Sequence, residues 1–241
     1  MTPSKPPRLR IPSHATREQP VRRRRAPATV ITPPPAGWLP AATALIAAAP
    51  SAWLAARVAA GYAAPVRLSS VLVWGGALTT ATIFTAPSAP MLAASLLLGW
   101  TLLTLAIVDA RRFRLPDALT LPLSLAGIAV AWVAEGDLPL DRLIGAVVGW
   151  SVLAAIAWLY RRARAREGLG MGDAKLLAAG GAWLGWAPLP LVLLLASLAG
   201  LAWVGTQALR GRPVDGATPI AFGVPLCLAI WLVWLWLLST G

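Results

Sequence analysis

Long apolar segments decide the fold of this chain, and one of them is residues 168–187, GLGMGDAKLLAAGGAWLGWA. A single acid, Asp173, follows two glycines, and almost everything after it is apolar. A carboxylate at the centre of a membrane helix costs roughly 2.5–3.5 kcal/mol on insertion scales, and less near the interface. Asp173 therefore either lies near the membrane surface, where this cost is smaller, or has a functional role that explains why a carboxylate is present.

The whole chain is nearly as apolar as this segment. Of its 241 residues, 58% are hydrophobic and 12% are charged, about half the charged fraction of a soluble domain. Such a composition indicates an all-α polytopic integral membrane protein with about seven to eight transmembrane helices. We predict eight apolar segments: residues 38–56, 68–86, 90–109, 118–134, 142–160, 173–187, 189–208 and 219–239.

Two features bear on how these segments pack. The sixth segment is short, and Pro188 and Pro190 separate it from the seventh, so this pair forms either two spans or one broken helix. Residues 145–149 (GAVVG) and 181–185 (GAWLG) are pairs of small residues four positions apart. Such pairs allow helix backbones to approach closely, and we predict for them a role in packing only.

Charge divides the chain into three regions. Residues 1–36 hold eight Lys or Arg and one acid and are rich in proline, which predicts a disordered basic tail. We expect this tail to act as a topology signal or to contact anionic lipids; nucleic-acid binding would rest on charge alone. Residues 37–89 are expected to form N-terminal transmembrane helices, and residues 90–241 a second transmembrane domain.

The loops predict the orientation of the later spans. Residues 110–117 and 161–172 carry three and four arginines, whereas residues 135–141 carry three acids and no base. The positive-inside rule places the two arginine loops on the cytoplasmic side of the cell membrane. Counting back through the earlier spans then puts the basic N-terminus outside, which the same rule disfavours. The orientation of the N-terminus therefore stays open.

Two acids stand out against this pattern. Asp109 ends the apolar run LLLGWTLLTLAIVD, and Asp173 begins another; both fall at the cytoplasmic ends of their spans. Helix packing could bring them together, and two carboxylates in one partly dry site can share a proton. One then activates water while the other protonates the substrate. Which of them holds the proton stays open, because a coupled pair titrates as a unit.

Four nearby residues are candidates for supporting roles. Gly170 and Gly172 would permit positive φ and leave room for an extended peptide beside Asp173. Asp117 is expected to cap the following span rather than to act in catalysis. Lys175 either extends to the lipid headgroups or hydrogen-bonds at the site.

Metal and cofactor chemistry receives no support from the sequence. Cys227 is the single cysteine, so that no disulfide within the chain and no cysteine cluster for zinc can form. We expect neither a metal nor a cofactor.

Three segments together resemble a known family. VDARRFRLPDALTLPL (108–123), EGLGMGDAKLLAAGGAWLGW (167–186) and TPIAFGVPLCLAIW (218–231) are similar to the signature segments of the type IV prepilin peptidases, the GxGD class of membrane aspartic proteases. The resemblance covers roughly residues 90–240. The 64 positions from Asp109 to Asp173 match the separation of that family's catalytic aspartates.

The resemblance implies an aspartic endopeptidase that removes the short basic leader from type IV prepilin-like or pseudopilin precursors on the cytoplasmic side. It implies that Asp109 and Asp173 are the catalytic pair, that Gly170 and Gly172 complete the GxGD element, and that Asp117 is a supporting position. The partners it implies are these precursors and the lipid bilayer, with no nucleic acid.

The chain departs from the family pattern in two places. Long members carry CxxC pairs and also N-methylate the new N-terminus, whereas this sequence has one cysteine. It therefore resembles the short, peptidase-only form, and the resemblance gives no support for N-methyltransferase activity. Ala221 replaces the first proline of the family's PFGP, which is expected to alter a helix kink rather than the chemistry.

Two alternatives to a peptidase remain. A transporter or secretion component could use Asp109 and Asp173 as a proton relay, although we find no interrupted helices in matching halves of the chain. An inactive peptidase homologue is less favoured, because both acids are present.

Overall fold

A computed structural model describes residues 61, 68–164, 170–211 and 221–240. Within these ranges the chain forms seven α-helices: α1 (Leu68–Thr85), α2 (Ala89–Arg112), α3 (Asp117–Glu135), α4 (Leu140–Arg164), α5 (Met171–Leu184), α6 (Leu189–Leu209) and α7 (Gly223–Thr240). The predicted tail 1–36, the predicted segment 38–56 and residues 218–220 of the third motif lie outside the described residues.

Five of these helices are long and apolar enough to cross a bilayer, judged by length and composition. They are α2, α3, residues 140–163 of α4, α6 and α7. Each apolar segment predicted from residue 68 onward coincides with one helix, with ends that differ by at most four residues. The predicted class, an all-α polytopic membrane protein, is confirmed.

The sixth predicted segment is the exception in length. Helix α5 has 14 residues, which span about 21 Å and fall short of the ~30 Å hydrocarbon core. It ends where Gly185 takes a left-handed φ of 85°, and α6 begins after Pro188. Segments six and seven are therefore two separate helices, and α5 is shorter than the span expected there.

Helix α5 is the most buried helix of the described part of the chain. It packs against α3, α4 and α7. From Asp173 to Leu184 only Lys175 and Ala178 are not fully buried. A short helix enclosed in this way needs no contact with lipid along most of its length, which explains how it can be too short to span the bilayer.

The crossing of α4 and α5 depends on glycines. A Cβ on Gly145 would lie 2.5 Å from the carbonyl oxygen of Gly181, and one on Gly149 would lie 2.6 Å from that of Leu177. The helices are antiparallel, since later residues of α4 meet earlier residues of α5. The packing role predicted for the two small-residue pairs is confirmed, because GAVVG and GAWLG contact each other directly.

Tryptophans connect the other neighbours of α5. The indole N–H of Trp183 donates to the carbonyl oxygen of Leu123 on α3, at 2.8 Å. The Trp183 ring meets that of Trp234 on α7 edge to face, with centroids 5.5 Å apart. Trp234 in turn donates to the hydroxyl of Ser95 on α2, at 2.9 Å. These contacts fix α2, α3 and α7 around α5 at the end away from Asp173.

Candidate active site

The structure brings Asp109 and Asp173 together. Asp109 lies in the last turn of α2 and is 4% exposed, and Asp173 lies in the first turn of α5 and is 8% exposed. The two carboxylates are close enough for their charges to act on each other. Two helices far apart in the sequence thus place two buried acids in one site.

Asp173 is held by the start of its own helix. Gly170 is the N-cap of α5, and its backbone N–H donates to the Asp173 carboxylate. The Asp173 N–H donates back to the Gly170 carbonyl, at 3.1 Å. An acid three residues after the N-cap that binds the N-cap N–H is half of a capping box. The positive end of the α5 dipole therefore stabilises the ionised form of this carboxylate.

Neither Gly170 nor Gly172 adopts the positive φ that glycine permits. Gly170 has φ −71° and ψ 137°, and Gly172 lies inside α5, because the chain enters the helix directly from an extended N-cap. Gly172 instead allows close packing, since a Cβ there would lie 3.1 Å from the Cβ of Leu115. The connection between α2 and α3 can therefore rest on the start of α5.

Asp109 meets the start of a third helix. The first turn of α7, with the backbone N–H groups of Gly223 and Val224, lies beside its carboxylate. A Cβ on Gly223 would lie 2.6 Å from the Asp109 Oδ2 and 2.8 Å from its Cγ. The same Oδ2 is buried and has no hydrogen-bond partner among the described residues.

Gly223 is the residue of this site that the sequence interpretation missed. From the sequence, the segment around it predicts only an altered helix kink. The available signal was the glycine of the TPI-x-FG segment, but nothing in the sequence alone connects it to Asp109.

Asp117 and Lys175 form an ion pair beside the site. The Lys175 Nζ lies 2.6 Å and 2.7 Å from the two Asp117 carboxylate oxygens. The prediction that Asp117 caps α3 is wrong: the N-cap is Pro116, no side chain caps the helix, and the Asp117 carboxylate faces Lys175 of α5. Of the two alternatives for Lys175, the structure shows hydrogen bonding next to the site.

Other groups near the pair are basic or apolar. Arg111 and Arg112, which end α2, and Arg114, which follows the helix, are exposed. Cys227 is buried one turn along α7 from Gly223, close enough for both carboxylates to influence its thiol. Within the described ranges, no group of three or more His, Cys, Asp or Glu side chains is arranged to hold a metal ion.

Comparison with known proteins identifies the same part of the chain. Residues 96–205 match the model of the type IV leader peptidase family. Among curated proteins, the prepilin leader peptidase/N-methyltransferase of Aeromonas salmonicida is 45% identical over 145 residues, which cover 59% of this chain and 49% of that protein. The protein of the same name from Pseudomonas aeruginosa is 44% identical over 143 residues, with coverages of 59% and 49%.

A third relative is covered more fully. The prepilin leader peptidase/N-methyltransferase of Escherichia coli K12 is 44% identical over 146 residues, which cover 59% of this chain and 63% of that protein. The chain thus spans about half the length of the first two of these relatives, and no solved structure matches it. The matched residues 96–205 contain Asp109, Asp117, Asp173 and Lys175, and over this region the chain is similar to the type IV leader peptidase family.

Proposed function

We propose that this protein is a membrane-embedded aspartic endopeptidase that removes the short basic leader from type IV prepilin-like precursors. The observation that carries the proposal is the meeting of Asp109 and Asp173, two buried acids whose charges act on each other. Both lie in the region that matches the family. Relatives that cover this region are named prepilin leader peptidase/N-methyltransferase.

The chemistry needs one ionised and one protonated carboxyl group. The ionised carboxylate takes a proton from a water molecule, and the resulting hydroxyl attacks the carbonyl carbon of the scissile amide. The protonated carboxyl gives its proton to the carbonyl oxygen. The carboxyl that took the proton from water then gives it to the departing amine as the C–N bond breaks, and the other carboxylate recovers a proton from the diol as the product carboxyl group forms. Two acids in one partly dry site share a single proton in this way because both cannot easily be ionised at once.

Helix N-termini supply the electrostatic support for the pair. Asp173 receives the N–H of Gly170 at the start of α5, and Asp109 faces the N–H groups of Gly223 and Val224 at the start of α7. Both helix dipoles favour negative charge at this position. Together they favour one negative charge on the pair.

We place the reaction at the cytoplasmic face of the cell membrane. Arg111 and Arg112 end α2 just after Asp109, and Arg114 follows them. Residues 161–166, four of them arginines, end α4 and lead toward α5. The positive-inside rule assigns both to the cytoplasm. The start of α5, the start of α7 and the end of α2 share this end of the bundle.

The test is co-expression with pilin-like precursors from the same genome, with wild type compared with Asp173→Asn. Leader removal is read by gel shift and by mass spectrometry of the new N-terminus. We expect cleavage after the leader glycine by wild type and none by the variant. The same spectra report N-methylation, and an unmethylated product is expected for a chain that resembles the short form.

A correctly inserted wild-type protein that cuts none of several precursors would refute the peptidase assignment. Cleavage that persists in Asp173→Asn would refute the aspartate pair as its catalyst. A flux assay in proteoliposomes would then test the proton-relay alternative.

A further inference from the structure

The first residue of α7 leaves no space for a side chain next to Asp109. An ideal Cβ on Gly223 would lie 2.6 Å from the Asp109 Oδ2, 2.8 Å from its Cγ and 3.2 Å from the Cδ1 of Leu115. Two of these distances fall below 3.0 Å, which Cβ atoms essentially never show. A methyl group at position 223 would therefore force the nearest group to move, and that group is the Asp109 carboxyl.

We propose that Gly223 is a positioning residue for the catalytic pair. Because it has no side chain, the first turn of α7 can approach until its backbone contacts the Asp109 carboxyl. This contact fixes the rotamer of Asp109 and so the direction in which its carboxyl faces Asp173. The inference rests on the proposed function of the pair and adds to it a residue outside the family match at 96–205.

The surroundings of Gly223 differ from those of the packing glycines. Gly145, Gly149 and Gly181 approach the backbone of a neighbouring helix, so their substitution would displace whole helices. Gly223 approaches a side chain with two rotatable bonds and an oxygen that has no hydrogen-bond partner among the described residues. The smallest adjustment to a methyl group here is a rotation of Asp109, which would disturb the chemistry before it disturbs the fold.

The test is Gly223→Ala, with initial rates of precursor cleavage measured in proteoliposomes. We expect kcat to fall at least 100-fold while KM stays within threefold of wild type and the thermal midpoint is unchanged. Gly205→Ala is the matched control, since a Cβ there would meet nothing within 4 Å, and it should cleave at the wild-type rate. A Gly223→Ala protein that retains kcat within threefold overturns the proposal.

A second variant tests whether a methyl group at position 223 acts by moving Asp109 or by moving Leu115. If the methyl group acted by pushing Leu115, then Leu115→Ala would make room and restore activity to Gly223→Ala, with Leu115→Ala alone as the baseline. We expect no restoration, because the closer contact is with Asp109. Recovery of most of the kcat in the double variant would show that Gly223 serves the packing of Leu115 instead.

A third measurement does not depend on activity. The Asp109 Cγ lies 2.8 Å from the Cβ position of residue 223, which brings the two Cβ positions within the range of about 3.5–4.5 Å that a disulfide spans. In a Cys227→Ser background, Asp109→Cys with Gly223→Cys should form a disulfide under mild oxidation, detected by mass spectrometry. Asp109→Cys with Leu228→Cys should not, since Leu228 is 51% exposed.

Absence of the disulfide in the first pair would overturn the contact and with it the positioning role. If wild type cleaves no precursor, the peptidase proposal fails while the disulfide still decides whether Gly223 and Asp109 meet. The two failures are therefore distinguishable.

Discussion

The ammonium group of Lys175 lies against both carboxylate oxygens of Asp117, at 2.6 Å and 2.7 Å. The pair joins the first turn of α3 to the first turn of α5, two residues beyond Asp173. Because α3 follows α2 after a short connection, the ion pair also limits how far the start of α5 can move from Asp109.

Loss of this ion pair should lower activity more than stability. Both side chains are partly exposed, at 54% for Asp117 and 34% for Lys175, and exposed ion pairs contribute only about 0.2–1 kcal/mol. Asp117→Asn and Lys175→Met should each reduce kcat/KM several-fold with a nearly unchanged thermal midpoint. The exchanged pair, Asp117→Lys with Lys175→Asp, should recover part of the rate. If the exchanged pair recovered none of the rate, and the two single variants lowered kcat/KM equally, each residue would act independently of the other.

Asp109→Asn should abolish cleavage without weakening the fold. The Asp109 Oδ2 is buried and lacks a partner among the described residues, and a buried charge without full hydrogen bonding is unfavourable. An amide of the same shape removes that charge, so the midpoint of thermal unfolding in detergent should stay constant or rise. The rate should fall by about 10³-fold or more, as expected for a member of a catalytic unit. A lowered midpoint would contradict this account.

Asp173→Asn should behave differently in the same unfolding measurement. Its carboxylate accepts the Gly170 N–H at the start of α5, and a hydrogen bond to a charged acceptor is worth about 1.5–3 kcal/mol. The amide oxygen accepts more weakly, so the thermal midpoint should fall while the protein remains inserted. Equal midpoints for the two Asp→Asn variants would show that this cap adds nothing to stability.

A methyl group at Gly181 should destabilise the bundle. Its Cβ would overlap the backbone of Gly145 on α4, which has no freedom to turn aside. Insertion of a methylene into a close-packed crossing typically costs about 1–3 kcal/mol. Gly181→Ala should therefore lower the unfolding midpoint, with Gly205→Ala on α6 as the neutral control. An unchanged midpoint for both would mean that α4 and α5 are not in close contact.

Trp183→Phe should lower stability and leave activity nearly unchanged, whereas Asp109→Asn should abolish activity and leave stability unchanged or higher. It removes the 2.8 Å hydrogen bond to the Leu123 carbonyl, worth about 0.5–1.5 kcal/mol. Trp183 lies ten residues beyond Asp173 on α5, which is about 15 Å along the helix. The unfolding midpoint should fall while kcat remains within twofold. A large loss of kcat would show that the two ends of α5 are coupled.

The helices and the pairing of the acids could be predicted because their signals are local. Apolar runs bounded by Pro, Gly or charge gave the positions of all the described helices, and the arginines after Asp109 and before Asp173 placed both acids at one end of the bundle. The small side chains of residues 145–149 and 181–185 predicted a packing role, but not that the two pairs pack on each other.

The contacts around the acids could not be predicted because they join distant positions. Asp117 looked like a helix cap from its place after Pro116, but its carboxylate faces Lys175, 58 residues away. Gly223 is 114 positions from Asp109, and only the packed bundle brings its backbone to that carboxylate. Gly170 and Gly172 suggested positive φ by residue type, whereas the local backbone enters the helix without it.

The antiparallel contact of α4 and α5 has a consequence for the substrate. Gly149 faces Leu177, so Leu153, one turn further along α4, stands about level with Asp173. From there α4 continues to Arg164, about 16 Å further, with Trp158–Ala163 exposed. The last part of α4 therefore extends about 16 Å beyond the level of Asp173. An extended chain advances about 3.3 Å per residue, so under the proposed function a peptide that runs along α4 from Arg164 to the level of Asp173 would need about five extended residues.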